Sequence, residues 1–175
     1  MTNGDAAVLA LIGISALGFL LADGERQRLK WVQAMRRCLL RFGDAIRYEQ
    51  LPLQRLLCSI DLRATQQERL LSRLLQKCAG RIEEEKEMSL GKAFEMEGAG
   101  IPGFGVLSRQ DKAPFEAMLE ELGRYSLHEQ LRLISDADES MRVREEALRQ
   151  ETVRRAKLTA SLGMCCGAAV FLMLI

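Results

Sequence analysis

AAVLALIGISALGFLLA, residues 6–22, contains no charged side chain, and neither does LTASLGMCCGAAVFLMLI, residues 158–175. At about 1.5 Å per helical residue, each stretch covers roughly 26 Å, close to the hydrocarbon thickness of a bilayer. The first stretch lacks the basic leader and small-residue cleavage site of a signal peptide. A buried core helix is the alternative for the second, although a helix that is apolar on all sides favours the membrane. We therefore expect two transmembrane helices, with a tail at residues 1–5 and one domain at residues 23–157.

Basic residues mark the side of each apolar stretch that faces the middle of the chain. Every Lys and Arg of the protein lies between the two stretches. Basic residues beside membrane spans usually lie in the cytoplasm, so we expect a cytoplasmic domain with both termini outside. We expect the basic residues nearest the spans, here called the basic collars, to face lipid head groups. They are Arg26, Arg28 and Lys30 after the first stretch, and Arg154, Arg155 and Lys157 before the second.

The central part of the chain has the pattern of amphipathic helices. Its apolar residues recur every three or four positions, and no stretch alternates as a half-buried strand would. Helix starts are predicted where a hydroxyl residue precedes a carboxylate by three positions, as at Thr65 with Glu68 and Ser126 with Glu129; Ser108 with Asp111 is a weaker case. The net charge of +1 is too small to predict a nucleic-acid partner.

These signals predict an all-α protein, an antiparallel six-helix bundle flanked by the two transmembrane helices. The predicted helices span about residues 25–48, 52–60, 66–79, 82–95, 109–122, and from about 127 onward. Neither proline nor glycine interrupts the last helix before Gly163. We therefore expect it to continue into the second span, to a total length of about 70 Å.

Three features that could indicate chemistry have simpler explanations. Residues 98–103 match the dinucleotide-binding pattern G-x-G-x-x-G, but no strand precedes them and Pro102 removes a backbone donor. We interpret them as an interhelical loop in which alanine is tolerated at Gly98 and Gly100. Core packing is expected for the separated cysteines at 38, 58 and 78, and an exposed first helical turn for His128, where glutamine should be tolerated. No metal, cofactor or enzymatic activity is expected.

Small residues in the two apolar stretches predict helix packing within the membrane. Gly163 and Gly167 lie one turn apart in the second stretch, and Gly18 and Ala22 form a weaker pair in the first. Two small residues at this spacing let another helix approach closely in lipid. Glycine is also common in membrane spans generally, so ordinary span glycines stay open as the alternative.

An acidic run between two predicted helices is a candidate docking site for a basic partner. It contains Glu83, Glu84, Glu85 and Glu87. Such a run is more often a solvated helix face, and that alternative stays open as well.

The order of several short motifs resembles the stage III sporulation protein AB family of endospore-forming bacteria. AIRYEQLPL, residues 45–53, follows Gly18-Phe19 by about 30 residues, and Gly123 with Gln130 and the ending around Gly163 complete the resemblance. Within these motifs the resemblance implies structural roles for Tyr48, Pro52, Leu53, Gly123 and Gln130. The chain departs from the family pattern at Ala45, Leu51 and Ser126, where Glu, Thr and Asp are usual.

The resemblance implies a function that the residues alone do not give. Proteins of this family belong to the channel or secretion-like complex in the mother-cell membrane that faces the forespore. They resemble the platform proteins that couple a cytoplasmic ATPase to secretion assemblies. The implied partners are an ATPase like stage III sporulation protein AA and the other membrane proteins of the complex, while self-association stays open. A membrane-anchored adaptor or signalling protein is the alternative.

Overall fold

The computed structural model describes the backbone of residues 3–48, 52–85 and 87–174, and the side chains of residues 24–48, 52–85, 87–154 and Leu158. Within these ranges all regular secondary structure is helical, which confirms the all-α prediction. The helices are α1 (Asn3–Tyr48), α2 (Leu53–Ser59), α3 (Gln66–Glu84), α4 (Leu90–Gly98), a 3-10 turn (Phe104–Val106), α5 (Arg109–Glu121) and α6 (Leu127–Leu174).

The two longest helices extend beyond the central domain. α1 is continuous through Gly24, and α6 runs unbroken from Leu127 to Leu174, as predicted for the last helix. Within the residues whose side chains the structure describes, no helix is both long enough and apolar enough to cross a membrane. Apart from Leu158, the two predicted spans at residues 6–22 and 158–175 lie outside those side chains.

The predicted boundary between the third and fourth helices is wrong. α3 continues through Gly80 to Glu84, and α4 begins only at Leu90. The extra turn of α3 contacts the rest of the domain, because Arg81 reaches Glu97 of α4 with an N–O distance of 2.7 Å. This tertiary contact offsets the roughly 1 kcal/mol by which a mid-helix glycine is disfavoured.

α1 and α6 pack side by side in opposite directions. Gln33 donates to Glu145 over 3.0 Å, and Arg36 donates to Asp138 over 2.8 Å. Further along α1, a Cβ built on Gly43 would lie 3.7 Å from the side chain of Ile134. Residue numbers rise along α1 as they fall along the facing part of α6. The described part of α1 nearest the first apolar stretch therefore lies beside the part of α6 nearest the second.

The core fills the space between this helix pair and the shorter helices. α1 contributes a face of side chains that are at most 1 % exposed: Trp31, Met35, Leu39 and Phe42. The 3-10 turn inserts Phe104 into this core. Its ring centroid lies 5.4 Å from that of Trp31 and 5.5 Å from that of Phe94, both edge to face. Phe104 therefore joins α1 to α4.

Gly98 is the last residue of α4 and packs directly on this aromatic cluster, contrary to its interpretation as a tolerant loop residue. A Cβ at Gly98 would lie 2.6 Å from the Phe104 ring, which Trp31 and Phe94 hold in place. The placement of Gly98 in a loop is wrong, and the close contact with Phe104 predicts that alanine is not tolerated there. Gly100 is exposed, and its Cβ would make only an ordinary contact of 3.6 Å with the carbonyl of Glu97.

Gly98→Ala should destabilise the domain by about 1–2 kcal/mol, because overpacking at Phe104 exceeds the gain in helix propensity. Gly100→Ala is the matched control and should change the free energy of unfolding by less than about 0.5 kcal/mol. Urea unfolding of the full chain in detergent micelles, followed by circular dichroism, measures both. Equal effects of the two substitutions would mean that the Phe104 ring moves freely, contrary to its packing.

Candidate functional site

A buried carboxylate joins three helices near the end of the domain that leads to the predicted spans. The side chain of Asp111, on the first turn of α5, has no solvent exposure. Arg28 of α1 donates to it through Nε and, over 3.1 Å, through Nη2. Arg144 of α6 donates to the same carboxylate over 2.6 Å. α1, α5 and α6 therefore meet at a single acidic group, which we call the Asp111 junction.

Local sequence explains why a carboxylate can be held at this point. Asp111 lies three residues after Ser108, which precedes α5. The Ser108 backbone N–H and hydroxyl donate to Oδ2 of Asp111 over 2.8 and 2.7 Å, and Arg28 Nη2 donates to the hydroxyl oxygen over 2.9 Å. The positive end of the α5 dipole also favours a negative charge there. Oδ2 thus accepts from Ser108 and from Arg28 Nε, whereas Oδ1 accepts from Arg28 Nη2 and Arg144 Nε.

The ionised form of Asp111 is strongly favoured. Burial alone raises the pKa of this carboxyl, but the hydrogen bonds from Arg28, Ser108 and Arg144 outweigh burial and lower the pKa to about 2. The same pairing raises the pKa of Arg28. The Asp111 junction is therefore fully charged at neutral pH, and it serves to hold helices together rather than to exchange protons.

Two further arginines of α1 bind carboxylates on other helices. Arg36 bridges Asp138 and Glu145 of α6, with N–O distances of 2.8 and 3.1 Å. Arg37 lies 2.8 Å from the buried carboxylate of Glu68, which starts α3 in a capping box with Thr65. The Thr65 and Glu68 capping box is thereby confirmed. α1 is thus connected by ion pairs to α3, α5 and α6.

The basic collars divide into two groups in the structure. Arg26, Lys30 and Arg154 are exposed, and their contact with lipid head groups stays a prediction. Arg28 is only partly exposed, because its guanidinium binds the buried Asp111. Arg155 and Lys157 lie outside the described side chains, as do the small residues predicted to pack helices in the membrane: Gly18, Ala22, Gly163 and Gly167.

The structure brings the motif residues of the second and last helices together at the other end of the domain. A Cβ at Gly123, which has a φ of 87°, would lie 3.3 Å from the side chain of Leu53. Gln130 donates to the carbonyl of Tyr125 over 2.7 Å and so fixes the turn before α6. Tyr48 is 76 % exposed and Pro52 is also exposed. Leu53, Gly123 and Gln130 therefore make local contacts, and the structural role of the whole group stays a prediction.

The acidic run lies on the surface where α3 ends. Glu83, Glu84, Glu85 and Glu87 are all exposed, and Glu85, which directly follows α3, pairs with Arg81 in the last turn of that helix. They form a charged, solvent-exposed surface.

The remaining candidate residues whose side chains the structure describes are three cysteines and one histidine. Cys38 and Cys78 are buried, and burial raises the pKa of the Cys78 thiol to about 12. Cys58 is exposed, so its predicted place in the core is wrong: it lies on the outer face of the short helix α2. His128 is exposed on the first turn of α6, as predicted. Across the described residues, no three His, Cys, Asp or Glu side chains converge to hold a metal ion.

Sequence reasoning did not identify the Asp111 junction. It marked Ser108 and Asp111 only as a weak helix start, and it assigned Arg28 to the lipid surface. The available signal for this junction was a carboxylate in the first turn of a helix, just before the apolar positions of that helix. The partners could not be named, because Arg28 and Arg144 lie 83 and 33 residues away.

The fold and its contacts define a helical scaffold in which two long terminal helices are connected by partly buried ion pairs. A family model described as Stage III sporulation protein AB matches residues 6–175. The chain belongs to the stage III sporulation protein AB family, which confirms the resemblance and gives the protein a role in stage III of sporulation. No curated protein and no solved structure matched the chain.

Asp111→Asn should lower the free energy of unfolding at pH 7 by about 2–3 kcal/mol, because it leaves Arg28 and Arg144 without their anionic partner. Asp61→Asn is the matched control, since it removes an exposed ion pair with Arg63. That control should have little effect, as exposed pairs contribute little. Urea unfolding of the two full-length variants compares them, and similar losses would show that the Asp111 junction is no stronger than a surface pair.

The contribution of Asp111 should depend on pH with a defined sign. Its pKa is about 2 in the folded protein, below the ordinary value of 3.8. Ionisation therefore favours the folded state, and the contribution is complete above about pH 5 and disappears as pH falls through about 2. The difference in unfolding free energy between wild type and Asp111→Asn should shrink over this range. A difference that stays constant from pH 7 to pH 2 would contradict the assigned cause.

Proposed function

We propose that this protein is a non-enzymatic membrane platform component of the mother cell–forespore channel or secretion-like complex. In this role it couples a cytoplasmic ATPase of the secretion type to the assembly in the membrane. Membership of the stage III sporulation protein AB family supports a role in this stage of sporulation. The partners implied by the resemblance are an ATPase like stage III sporulation protein AA and the other membrane proteins of the complex.

The observation that carries the proposal is the connection between α1 and α6. Each of these helices continues without a break from the packed domain toward a predicted span. The Asp111 junction ties them together through Arg28 and Arg144 before they leave the domain. A force applied to the domain would therefore reach both spans together, since close-packed and ion-paired helices move as one body.

Charge distribution supports the proposed orientation. Arg26, Lys30 and Arg154 are exposed on the parts of α1 and α6 next to the predicted spans. Basic side chains at this position favour the cytoplasmic side and can bind anionic lipid head groups. We place the domain in the mother-cell cytoplasm, on the membrane that faces the forespore.

We also propose that the central helices form one antiparallel bundle. The opposite directions of α1 and α6, shown by the Gln33–Glu145 and Arg36–Asp138 pairs, are the basis for this arrangement. Contacts of α3 with α1 and α4, and of α5 with α4 and α6, fit the same arrangement.

The double substitution Gly163→Leu with Gly167→Leu tests the platform role. Two branched side chains would replace small residues where helices are expected to touch, at a cost of order 1–3 kcal/mol in helix association. The variant should reach the membrane with a folded domain, yet fail to copurify with its partners and block sporulation after engulfment. Copurification from sporulating cells and spore counts measure this outcome.

Gly163→Ala with Gly167→Ala is the matched control, because alanine keeps the small surface, and it should sporulate nearly normally. Full function of the double leucine variant would show that these are ordinary span glycines. Wild-type protein that brings down neither an ATPase nor other membrane proteins of the complex would contradict the platform role and favour the adaptor.

A further inference from the structure

A groove lies between the end of α5 and the first turns of α6, and we call it the α5–α6 groove. Its volume is about 330 Å³. Acidic, aromatic and apolar side chains line it together with one arginine: Glu121, Tyr125, Glu129, Arg132, Leu133 and Asp136.

The charge of the groove lining is negative. Glu129 and Asp136 lie two turns apart on one face of α6, and Glu121 faces them from α5. Arg132 offsets only part of this charge, with its Nε 4.0 Å from Asp136 in an exposed pair. Beside the groove, Arg124 lies 3.9 Å from Glu121 in a second exposed pair. The three lining carboxylates outnumber these two guanidinium groups, so the rim favours a cationic group.

The floor of the groove is suited to an apolar contact. Two of its lining residues, Leu133 and Tyr125, offer apolar surface, and Tyr125 is 47 % exposed. The Gln130 side chain donates a hydrogen bond to the Tyr125 carbonyl, and Gly123 supplies the positive φ of the turn before Tyr125. The aromatic ring is thus displayed on a fixed turn, and rigid exposed tyrosines are common at the centres of protein interfaces.

The groove lies far from the predicted spans. The antiparallel register of α1 and α6 places Glu129 level with Tyr48, at the end of α1 opposite its apolar stretch. Residues 129–136 precede the second predicted span by roughly 35–45 Å of helix. Anionic lipid head groups would also repel the acidic rim, so the occupant is a protein rather than a membrane.

We propose that the α5–α6 groove is the docking site for a segment of another protein in which an arginine or lysine neighbours an apolar side chain. The cationic group binds among Glu121, Glu129 and Asp136, and the apolar side chain packs on Tyr125 and Leu133. This inference rests on the proposed function, since a platform needs a surface for a cytoplasmic partner. The acidic run at residues 83–87 is also negatively charged and lies outside this groove, so it serves as the comparison.

The test is site-specific photo-crosslinking of the full chain in sporulating cells. A photoreactive amino acid at Tyr125 probes the groove, and the same amino acid at Met96 of α4, which is 48 % exposed, is the control position. The groove charge is reversed by Glu121→Lys with Asp136→Lys, which leaves the cap formed by Glu129 and Ser126 intact. The matched reversal is Glu83→Lys with Glu84→Lys, and circular dichroism confirms that both variants fold.

We expect the photoreactive amino acid at position 125 to give a higher yield of crosslinked adduct than the one at position 96. The adduct should contain a segment of another protein with Arg or Lys beside an apolar residue. Reversal in the groove should reduce its yield about tenfold, whereas reversal at residues 83 and 84 should not. Changing the partner's basic residue to Glu should restore the adduct with the reversed groove.

Four results would overturn the inference: no adduct above the Met96 background, an adduct with a second copy of this chain, an adduct with lipid, or a yield insensitive to groove charge. Failure of the proposed function is distinguishable, because it appears as loss of the copurified complex from wild-type cells. That complex can be present while the groove gives no adduct.

Discussion

The pairing of Asp111 with Arg28 and Arg144 is the constraint on which the terminal helices depend. A carboxylate without solvent exposure is strongly disfavoured unless its charge and its hydrogen-bonding capacity are satisfied. Here the start of α5 satisfies one oxygen, and two guanidinium groups complete the shell from α1 and α6. Moving either long helix away would leave the carboxylate buried and partly unpaired. The geometry of the junction therefore fixes the relative positions of three helices.

The same physical device recurs where α3 meets α1. Glu68 begins α3 in a capping box, is buried, and pairs with Arg37. In both cases a carboxylate that completes a helix start also binds an arginine of α1. One carboxylate side chain both caps the start of its helix and forms an ion pair with α1. The start of each helix is therefore also its point of attachment to α1. α1 is consequently the common support of the domain, with Arg36 completing its attachment to α6.

Much of the fold could be predicted from sequence, because helices depend on local signals. Apolar periodicity and the Thr65 and Ser126 starts place most helices correctly. The boundary after α3 could not be predicted, since Gly80 suggests an end that the Arg81–Glu97 contact overrides. The Asp111 junction and the packing of Gly98 on Phe104 depend on residues distant in the chain. An apolar periodicity identifies which face of a helix is buried, but it does not identify the residues of other helices that pack against that face.

The two ends of the domain differ in ways that suit a coupling role. One end gathers paired arginines around a buried carboxylate and leads into two long helices. The other displays Tyr125 and an acidic groove on turns fixed by Gly123 and Gln130. α6 connects them without a proline or a helix break from Leu127 onward, and helices are not sharply kinked without such causes. Under the proposed function, a partner bound at the groove would therefore contact a continuous helix that packs along α1 and reaches the Asp111 junction.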